Sequence, residues 1–312
     1  MSKRALITGA NGFAGRALCA WLEERGWDVA ATVYPPVDGA LTCDVRDEAS
    51  IAAALKAAGK ITHIFHLAAI AFVPDATKAP LNTMDVNLQG TIRLCQMMEL
   101  ICPEARLVHI GSADAYGPPE YLPMDEAHPL RPQNAYAVSK AAADQYLDHH
   151  GKTSGLNIVR VRPFNHSGPG QSTSYVLPSL AQQVARAASG IAEPVIHVGN
   201  LEATRDFLHV HDVVRAYERI ARDGHPGDVF NVCSGTAHSI QSVLDAFLSF
   251  AGVKIAVEQD PDRMRPSEVP AVLGSHKKLT ECTGWEPEIP FETLLRKIYD
   301  HHAAQLQQEA AR

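Results

Sequence analysis

Tyr136 and Lys140 stand four positions apart in a segment with a helical pattern. Residues at this spacing lie on the same face of a helix, so their side chains are neighbours. A tyrosine with an ordinary pKa near ~10 exchanges protons poorly at neutral pH, and a nearby ammonium stabilises its phenolate. Ser112 follows Arg106–Ile110, which has the pattern of a strand. A hydroxyl, a phenol and an ammonium at one sheet edge suit proton transfer with a substrate oxygen.

Three glycines at a fixed spacing predict a dinucleotide site. Gly9, Gly12 and Gly15 follow the predicted strand Lys3–Thr8 and open a predicted helix. Glycines at these places let the backbone turn tightly and approach a pyrophosphate, which then sits at a helix N-terminus. A turn without a ligand is the alternative, and the strand–turn–helix context disfavours it. We therefore expect NAD(P) to bind here, with Phe13 among the contacts.

The end of the second predicted strand, Trp27–Val33, has no carboxylate. An acid at this position normally hydrogen-bonds the ribose of NAD, so its absence favours NADP(H) over NAD(H). Arg16, just after the last glycine, is placed to reach a 2′-phosphate, and a solvated helix residue is the alternative. Asp44 and Val45 follow the next short strand. They either meet the adenine or, in the case of Asp44, cap the following helix.

Strands and helices alternate along the first half of the chain, which predicts an α/β protein with a doubly wound parallel (Rossmann) sheet. Strand patterns cover Lys3–Thr8, Trp27–Val33, Ile61–Leu67, Arg106–Ile110 and Asn157–Arg162, and helical patterns cover Gly12–Arg25, Val86–Ile101 and Ala135–His149. One strand, Ile61–Leu67, ends in the run Leu67, Ala68 and Ala69. Small residues there either let a cofactor pass close to the backbone or simply allow close packing of the protein. Pro163 ends another, and we include it among the cofactor contacts.

After Pro163 the pattern changes, because Pro, Gly and polar residues become denser. We expect His209–Ala221 and Val229–Val232 to rejoin the sheet. Ser239–Ala251 and Phe291–Gln305 are amphipathic and predict helices of a smaller α/β C-terminal domain. The predicted dinucleotide-binding domain comprises residues 1–163 and 207–233, and the predicted substrate domain comprises residues 164–206 and 234–312.

The composition excludes several functional classes. The net charge of −7 argues against general nucleic-acid binding, which depends on neutralising phosphates. No stretch approaches the ~18 apolar residues of a membrane span, and the N-terminus has no signal-peptide pattern. The six cysteines and fifteen histidines show no metal-ligand spacing, so we expect no metal site. Buried reduced thiols fit a cytoplasmic protein.

The glycine triplet, Ser112 and the Tyr136/Lys140 pair resemble the extended short-chain dehydrogenase/reductase (NAD-dependent epimerase/dehydratase) family, over nearly the whole chain. The resemblance implies that Tyr136 is the acid/base and that Lys140 binds the nicotinamide ribose. It also implies that Ser112 polarises the substrate oxygen. Val86–Ile101 and Ala135–His149 resemble the helix pair that forms a four-helix bundle between subunits in this family, so we expect a homodimer.

Three later segments resemble the GDP-sugar branch of that family: 162–171, 199–207 and 263–270. The resemblance implies that Arg205 and Arg265 contact the diphosphate of a GDP-sugar substrate. It places Asn165 on the diphosphate as well, and Glu268 on the ribose. From composition alone, these arginines would be exposed surface residues, or Arg205 would pair with Asp206.

Two reaction classes share these features. A dehydratase must also remove the C5 proton and expel the C6 hydroxyl, and its relatives place a Glu two residues after the catalytic hydroxyl. This chain has Asp114 there, and misplacing a catalytic group by ~1 Å can cost ~100-fold. We therefore expect NAD(P)H-dependent reduction of the C4 ketone of GDP-4-keto-6-deoxymannose, to GDP-rhamnose or its C4 epimer. A GDP-mannose 4,6-dehydratase using Asp114 or a nucleotide-sugar 4-epimerase is the alternative. The intact Tyr136/Lys140 pair disfavours a non-enzymatic sensor.

Overall fold

The computed structural model describes residues 3–263 and 269–310. In chain order the strands are β1 (Arg4–Thr8), β2 (Asp28–Val33), β3 (Leu41–Thr42), β4 (His63–His66), β5 (Arg106–Ile110), β6 (Ile158–Pro163), β7 (Asn165–Ser167), β8 (Val195–Val198), β9 (Thr204–His209), β10 (Val229–Val232), β11 (Ala237–Ser239) and β12 (Ala256–Gln259). The central sheet is parallel and has seven strands in the order β10–β6–β5–β4–β1–β2–β3. The strand order reverses between β1 and β4, and ligands of such sheets bind outside the carboxyl ends at that point.

Helices cover both faces of this sheet, so the predicted doubly wound fold is confirmed. The α-helices are α1 (Phe13–Glu23), α2 (Glu48–Ala58), α3 (Val73–Lys78), α4 (Pro80–Met84), α5 (Gly90–Ile101), α6 (Ala135–Ser154), α7 (Val176–Ala188), α8 (Val210–Asp223), α9 (Ile240–Ala251), α10 (Lys277–Thr283) and α11 (Phe291–Ala310). The side chains of β1 alternate between two cores. Ala5 and Ile7 join the cluster that includes α1 and α8, whereas Leu6 joins the cluster that includes α2 and α5.

Two predicted elements differ from the structure. The helix predicted over Val86–Ile101 is the end of a longer helical run from Pro80, and a π-turn at Asp85–Gln89 interrupts that run. Of the two segments expected to rejoin the sheet, Val229–Val232 is the edge strand β10. The other is helix α8, which packs on the sheet face beside α1. Its hydrophobic spacing is helical, so it covers the strands instead of extending them.

A second lobe has its own apolar core. Helices α7, α9 and α11 pack around β8 and β9, with Ile196, Phe207, Leu244 and Ile298 among the buried residues. Two small sheets, β11–β9–β7 and β12–β8, belong to this C-terminal lobe. Its separate core supports two interleaved domains, but Leu279 and Trp285, within the predicted substrate domain, pack in the core of the central sheet instead. None of the described helices combines the length and the apolar character needed to cross a membrane.

A buried ionic network joins α6 to β6. Asp144, which is 2% exposed, accepts hydrogen bonds from Arg160 Nη1 at 2.9 Å and from Arg162 Nε at 2.9 Å. Arg162 Nη1 also donates to the Tyr116 hydroxyl at 3.0 Å, and that hydroxyl donates to Asn231 at 2.7 Å. Buried charges are tolerated when they are paired in this way. The network therefore fixes α6, which begins with the predicted acid/base, against the strand beside β5.

Candidate active site

Helix α1 approaches the end of β1 so closely that only glycine fits between them. A Cβ on Gly15 would overlap the carbonyl oxygen of Gly9, and one on Gly9 would lie 2.8 Å from the Ala68 nitrogen. Gly9 also has a φ of +71°, which favours glycine. Helix α1 begins at Phe13 with Gly12 as its N-cap, so its first amide groups lack helical partners. This cradle fits a pyrophosphate, which needs both a close backbone approach and a helix N-terminus.

A cleft of about 1070 Å³ opens at the carboxyl edge of the sheet and is lined by both lobes. Its volume slightly exceeds the ~300–1,000 Å³ of most small-molecule sites, which leaves room for a dinucleotide and a substrate together. The cleft brings together most of the predicted site residues, namely Gly9, Gly12, Phe13, Gly15, Arg16, Leu67, Ala69, Ser112, Asp114, Tyr136, Lys140, Pro163, Asn165 and Arg205. Arg265 and Glu268 lie outside the described residues.

The serine and tyrosine expected to handle the substrate oxygen lie close together. Ser112 caps a 3₁₀ turn over Ala113–Tyr116 directly after β5, and its Oγ accepts a hydrogen bond from the Asp114 nitrogen at 3.1 Å. The Ser112 side chain lies close enough to the Tyr136 phenol to lower its pKa. The end of β5 and the first turn of α6 therefore meet at this point of the cleft. Both hydroxyls can therefore reach one substrate oxygen.

The pKa of Tyr136 differs from the expectation. Burial and the nearby Asp114 carboxylate raise the pKa of the Tyr136 phenol above its ordinary value of 10, while the Ser112 hydrogen bond acts in the opposite direction. The expected net lowering by Lys140 is wrong for this structure, because both burial and the Asp114 carboxylate disfavour the phenolate. Tyr136 therefore keeps its proton at neutral pH, which suits a proton donor better than a base.

Lys140 is a buried ammonium held by a backbone carbonyl. It is 4% exposed, and its Nζ donates to the Ile110 oxygen at 2.7 Å. Burial lowers the pKa of Lys140 to about 8. Burial and Lys140 together lower the pKa of the adjacent His66 to about 3, so that imidazole stays neutral. The lysine is thus the main positive charge under this part of the cleft.

The π-turn before α5 holds the loop after β4 against α6. Asn87, in that turn, accepts from the Ile70 nitrogen at 2.8 Å and donates to the Ile70 oxygen at 3.1 Å. Its amide also donates to Ser139 Oγ at 2.9 Å, and Ser139 donates to the Tyr136 carbonyl at 2.7 Å. The extra residue of the π-turn orients the Asn87 side-chain amide towards these partners. Such π-bulges in helices often occur at functional sites. No pattern in the sequence indicated it.

An arginine that the sequence analysis missed lies beside the end of β2. Arg46 donates to both Asp44 carboxylate oxygens, from Nε at 3.0 Å and from Nη2 at 2.8 Å. Nη2 also donates to the Tyr34 hydroxyl at 2.7 Å, directly after β2. The pair lowers the pKa of Asp44. Asp44 does not cap the next helix, because Asp47 accepts from the first amides of α2.

Two other residues predicted to contact the cofactor pack against other parts of the protein instead. Val45 is 4% exposed, and a Cβ on Gly90 would lie 2.8 Å from its Cγ2, so its side chain faces α5. Ala68 packs beneath Gly9, and its nitrogen donates to Thr8 Oγ1 at 3.2 Å. With Asp44, these are the predicted cofactor residues that do not line the cleft within the described chain.

The C-terminal lobe supplies the polar side chains at the other end of the cleft. Asn165 is exposed on β7, and Arg205 on β9 donates to the Thr204 oxygen at 2.8 Å. Asp206 is fully buried and accepts from the Ser234 nitrogen and hydroxyl, both at 2.7 Å. Arg263 also lines the cleft, and the sequence analysis did not select it although it opens the Arg-rich segment.

One group of potential metal ligands is present among the described residues. His225, Asp228 and Cys282 bring ligand atoms within 4.8 Å of one another at the protein surface. Asp228 already accepts a hydrogen bond from the Lys278 ammonium at 3.1 Å. None of these residues lines the cleft, and the group has no part in the candidate active site.

A glycine cradle at the first strand, with serine, tyrosine and lysine at the same sheet edge, defines an extended short-chain dehydrogenase/reductase. Residues 6–298 match the sequence profile of the family described as GDP-mannose 4,6 dehydratase. The chain belongs to that family, and the resemblance to its GDP-sugar branch is confirmed.

Relatives with known names agree with this assignment. The chain is 35% identical to GDP-6-deoxy-D-mannose reductase of Pseudomonas aeruginosa over 99% of this chain and 100% of the relative. The solved structure of RMD from Pseudomonas aeruginosa complexed with NADPH matches with a TM-score of 0.89 and 35% identity, over 97% of this chain and 100% of the other. UDP-glucose 4-epimerase of Thermus thermophilus, in complex with NAD, matches with a TM-score of 0.85 and 28% identity, over 96% and 98%.

The buried ammonium predicts a pH-dependent cost in stability. The folded pKa of Lys140, about 8, lies below its ordinary value of 10.5, so burying the charged form destabilises the fold below pH 8. That cost disappears as pH rises towards 10.5. The stability of Lys140→Met relative to the native protein should therefore fall over this interval by up to about 3 kcal/mol.

Urea unfolding of both proteins across the interval measures this difference. Lys254→Met is the control, because Lys254 is exposed and its replacement should give a difference independent of pH. A flat difference for Lys140→Met as well would contradict the burial cost.

Proposed function

We propose that the chain catalyses the NADPH-dependent reduction of the C4 ketone of GDP-4-keto-6-deoxymannose. The observation that carries this proposal is that Ser112, Tyr136 and Lys140 line one cleft, in which burial and the Asp114 carboxylate keep the phenol protonated. Reduction of a ketone ends with a proton delivered to the new alkoxide, so a protonated phenol is the form that the reaction needs. The 35% identity to GDP-6-deoxy-D-mannose reductase supports the choice of substrate.

Each residue of the site has one task in this reaction. When bound, a reduced nicotinamide would supply a hydride to C4, and the former ketone oxygen would then carry a negative charge. Ser112 Oγ holds that oxygen by a hydrogen bond, and Tyr136 Oη gives it a proton, which completes the alcohol. Lys140, just beneath, offers a positive charge to the phenolate that Tyr136 becomes. The glycine cradle and Lys140 would hold the dinucleotide.

The substrate would lie across the second lobe. Asn165 and Arg205 line the cleft there, and a guanidinium suits the paired oxygens of a diphosphate. Arg263 lines the same region and adds a second positive charge. We also carry over Arg265 and Glu268 as contacts to the diphosphate and the ribose.

The rival reaction is the dehydration of GDP-mannose. It requires a group that removes the C5 proton and another that protonates the C6 hydroxyl, and Asp114 lines the cleft close enough to influence Tyr136. Its carboxyl is one methylene shorter than the Glu of the dehydratases. A carboxylate that raises the pKa of the tyrosine also works against the initial oxidation at C4, in which Tyr136 must act as a base.

Replacing Tyr136 by Phe tests the assignment directly. Tyr136→Phe should lower kcat by about 100- to 10,000-fold, because it removes the proton donor, and should change KM little. The assay mixes GDP-4-keto-6-deoxymannose with NADPH and follows the absorbance of the reduced nicotinamide.

Tyr146→Phe is the matched control, since Tyr146 lies further along α6 and does not line the cleft. Near-native turnover of Tyr136→Phe would refute the mechanism. Conversion of GDP-mannose to a keto sugar by the native protein, without consumption of NADPH, would show that Asp114 supports dehydration.

A preference for NADPH over NADH is part of the proposal. The end of β2 carries Tyr34 where NAD-binding chains place an acid. Arg46 lies against Tyr34 and is oriented by Asp44, so it is the cation best placed to meet a 2′-phosphate. Arg16, in the first turn of α1, donates from Nη1 to the Asn11 oxygen at 2.7 Å and lines the cleft.

Removal of Arg46 should change this preference. Arg46→Ala should raise the KM for NADPH about 10- to 100-fold, as expected for the loss of a guanidinium–phosphate contact, and leave the KM for NADH nearly unchanged. Arg222→Ala is the control, because Arg222 forms the same two-point pair with Asp223, at 2.8 Å and 2.8 Å, away from the cleft. Equal effects on both dinucleotides would exclude Arg46 as the phosphate contact.

We also propose a homodimer that forms through α5 and α6. Leu100 at the end of α5 is 75% exposed and Val138 in the first turn of α6 is 39% exposed, so each helix presents an apolar side chain to water. Light scattering should give about twice the chain mass of 33.8 kDa. Leu100→Glu should shift the protein towards the monomer, whereas Val253→Glu, on an exposed site of the C-terminal lobe, should not. A monomeric native protein would refute the dimer.

A further inference from the structure

Two aromatic side chains that the proposed reaction does not use meet at the cleft from different lobes. Phe72 comes immediately before α3 in the sheet lobe, and Tyr175 is the N-cap of α7 in the C-terminal lobe. Their ring centroids lie 5.6 Å apart at an interplanar angle of 66°, which is an edge-to-face contact. Both residues line the cleft that holds Ser112 and Tyr136. The ring contact therefore joins the two lobes at one wall of the cleft.

The start of α7 holds Tyr175 in place. Its nitrogen donates to the Ser172 oxygen at 3.1 Å, and its oxygen accepts from the Ser179 nitrogen at 2.9 Å. Two positions further on, Leu177 is 1% exposed and belongs to the apolar core of the C-terminal lobe. A tyrosine side chain has only two torsions that orient its ring, and here Phe72 packs against that ring. Tyr175 therefore loses little conformational freedom when a ligand binds.

The Tyr175 hydroxyl is available to a ligand. The residue is half-buried, and no group in the described part of the chain hydrogen-bonds its hydroxyl. Burial and the nearby Asp75 raise the pKa of Tyr175, so the phenol keeps its proton at neutral pH. Asp75 is exposed and does not line the cleft. A protonated phenol can donate one hydrogen bond and accept another, as the hydroxyl of a sugar can.

Tyr175 lies near the tyrosine that we propose as the proton donor. Burial and Asp114 raise the pKa of Tyr136 most, and Tyr175 is close enough to add to them. In the proposed reaction Tyr136 gives its proton to the oxygen on C4 of the sugar. A group near Tyr136 on another wall of the cleft therefore meets the substituents of the carbons beside C4. In a 4-keto-6-deoxyhexose these are the hydroxyl on C3 and the methyl group on C5, and a phenol can hydrogen-bond only the hydroxyl.

We propose that Tyr175 is a specificity-determining residue whose hydroxyl binds the C3 hydroxyl of the sugar, while Phe72 keeps its ring in position. The inference rests on the proposed function, because the position of C4 is taken from Ser112 and Tyr136. A site that hydrogen-bonds a substrate hydroxyl discriminates against an analogue that lacks it, since its own polar group is then left unpaired. The contact would also orient the sugar ring with C4 towards Tyr136.

The test compares the binding of two ligands by calorimetric titration. The ligands are GDP-rhamnose and its 3-deoxy analogue, each with saturating NADPH, a combination in which no ketone is present to be reduced. Tyr175→Phe should weaken the binding of GDP-rhamnose about 3- to 10-fold, because it removes one hydrogen bond, and should leave the binding of the 3-deoxy analogue unchanged. Phe72→Leu removes the ring contact and should produce a smaller loss of the same kind.

Tyr299→Phe is the matched control, because Tyr299 lies in the core of the C-terminal lobe and does not line the cleft. It should bind both ligands as the native protein does. An unchanged affinity of Tyr175→Phe for GDP-rhamnose, or an equal loss for both ligands, would overturn the proposal.

Failure of the proposed function gives a different result. The native protein would then not oxidise NADPH in the presence of GDP-4-keto-6-deoxymannose, whereas the titrations need no turnover. A selective loss of GDP-rhamnose binding in Tyr175→Phe would still support the contact with the C3 hydroxyl. If the native protein bound neither ligand, both the substrate class and the role of Tyr175 would be refuted.

Discussion

The candidate active site depends on one buried ammonium. Lys140 leaves water to sit against the Ile110 carbonyl, and among the described residues it has no carboxylate partner to offset the loss of hydration. Such a group stays in place only if its helix is held from elsewhere. Asp144 provides that anchor one turn further along α6, through two arginines of β6. The positions of Tyr136 and the lysine thus depend on an ion network outside the cleft.

Burial and Asp114 raise the pKa of the tyrosine, and the Ser112 side chain acts in the opposite direction. A half-buried phenol beside a carboxylate and a hydroxyl has its protonation set by which of these influences dominates. Here burial and Asp114 prevail, and Tyr136 retains its proton. Relatives that must first oxidise their substrate need the reverse balance. A small change in the length of one acidic side chain can therefore decide whether the tyrosine acts as an acid or as a base, without any change in the backbone.

The sequence predicted what local patterns encode. The strands Arg106–Ile110 and Val229–Val232 were predicted with the bounds that the structure has, because buried parallel strands are short apolar runs between turns. Part of the predicted cleft comes together because Gly9, Leu67 and Ser112 follow the carboxyl ends of strands in one parallel sheet. Contacts between distant segments could not be predicted. Arg46 meets Tyr34 only once β3 pairs with β2, and the aim of Asn87 depends on a π-turn without a sequence signature. The pKa of Tyr136 depends on burial, which spacing does not reveal.

The two lobes are not consecutive in the chain. The polypeptide leaves the central sheet after Pro163, returns to cover one face of it with α8 after His209, rejoins it at β10, and leaves again after Val232. No single cut separates the two lobes into continuous pieces. A gene encoding such a protein cannot exchange one lobe for another by a simple fusion, as proteins with consecutive domains can. Divergence within the family must therefore proceed mostly by substitutions and loop changes, with the cofactor-binding and substrate-binding halves inherited as one unit.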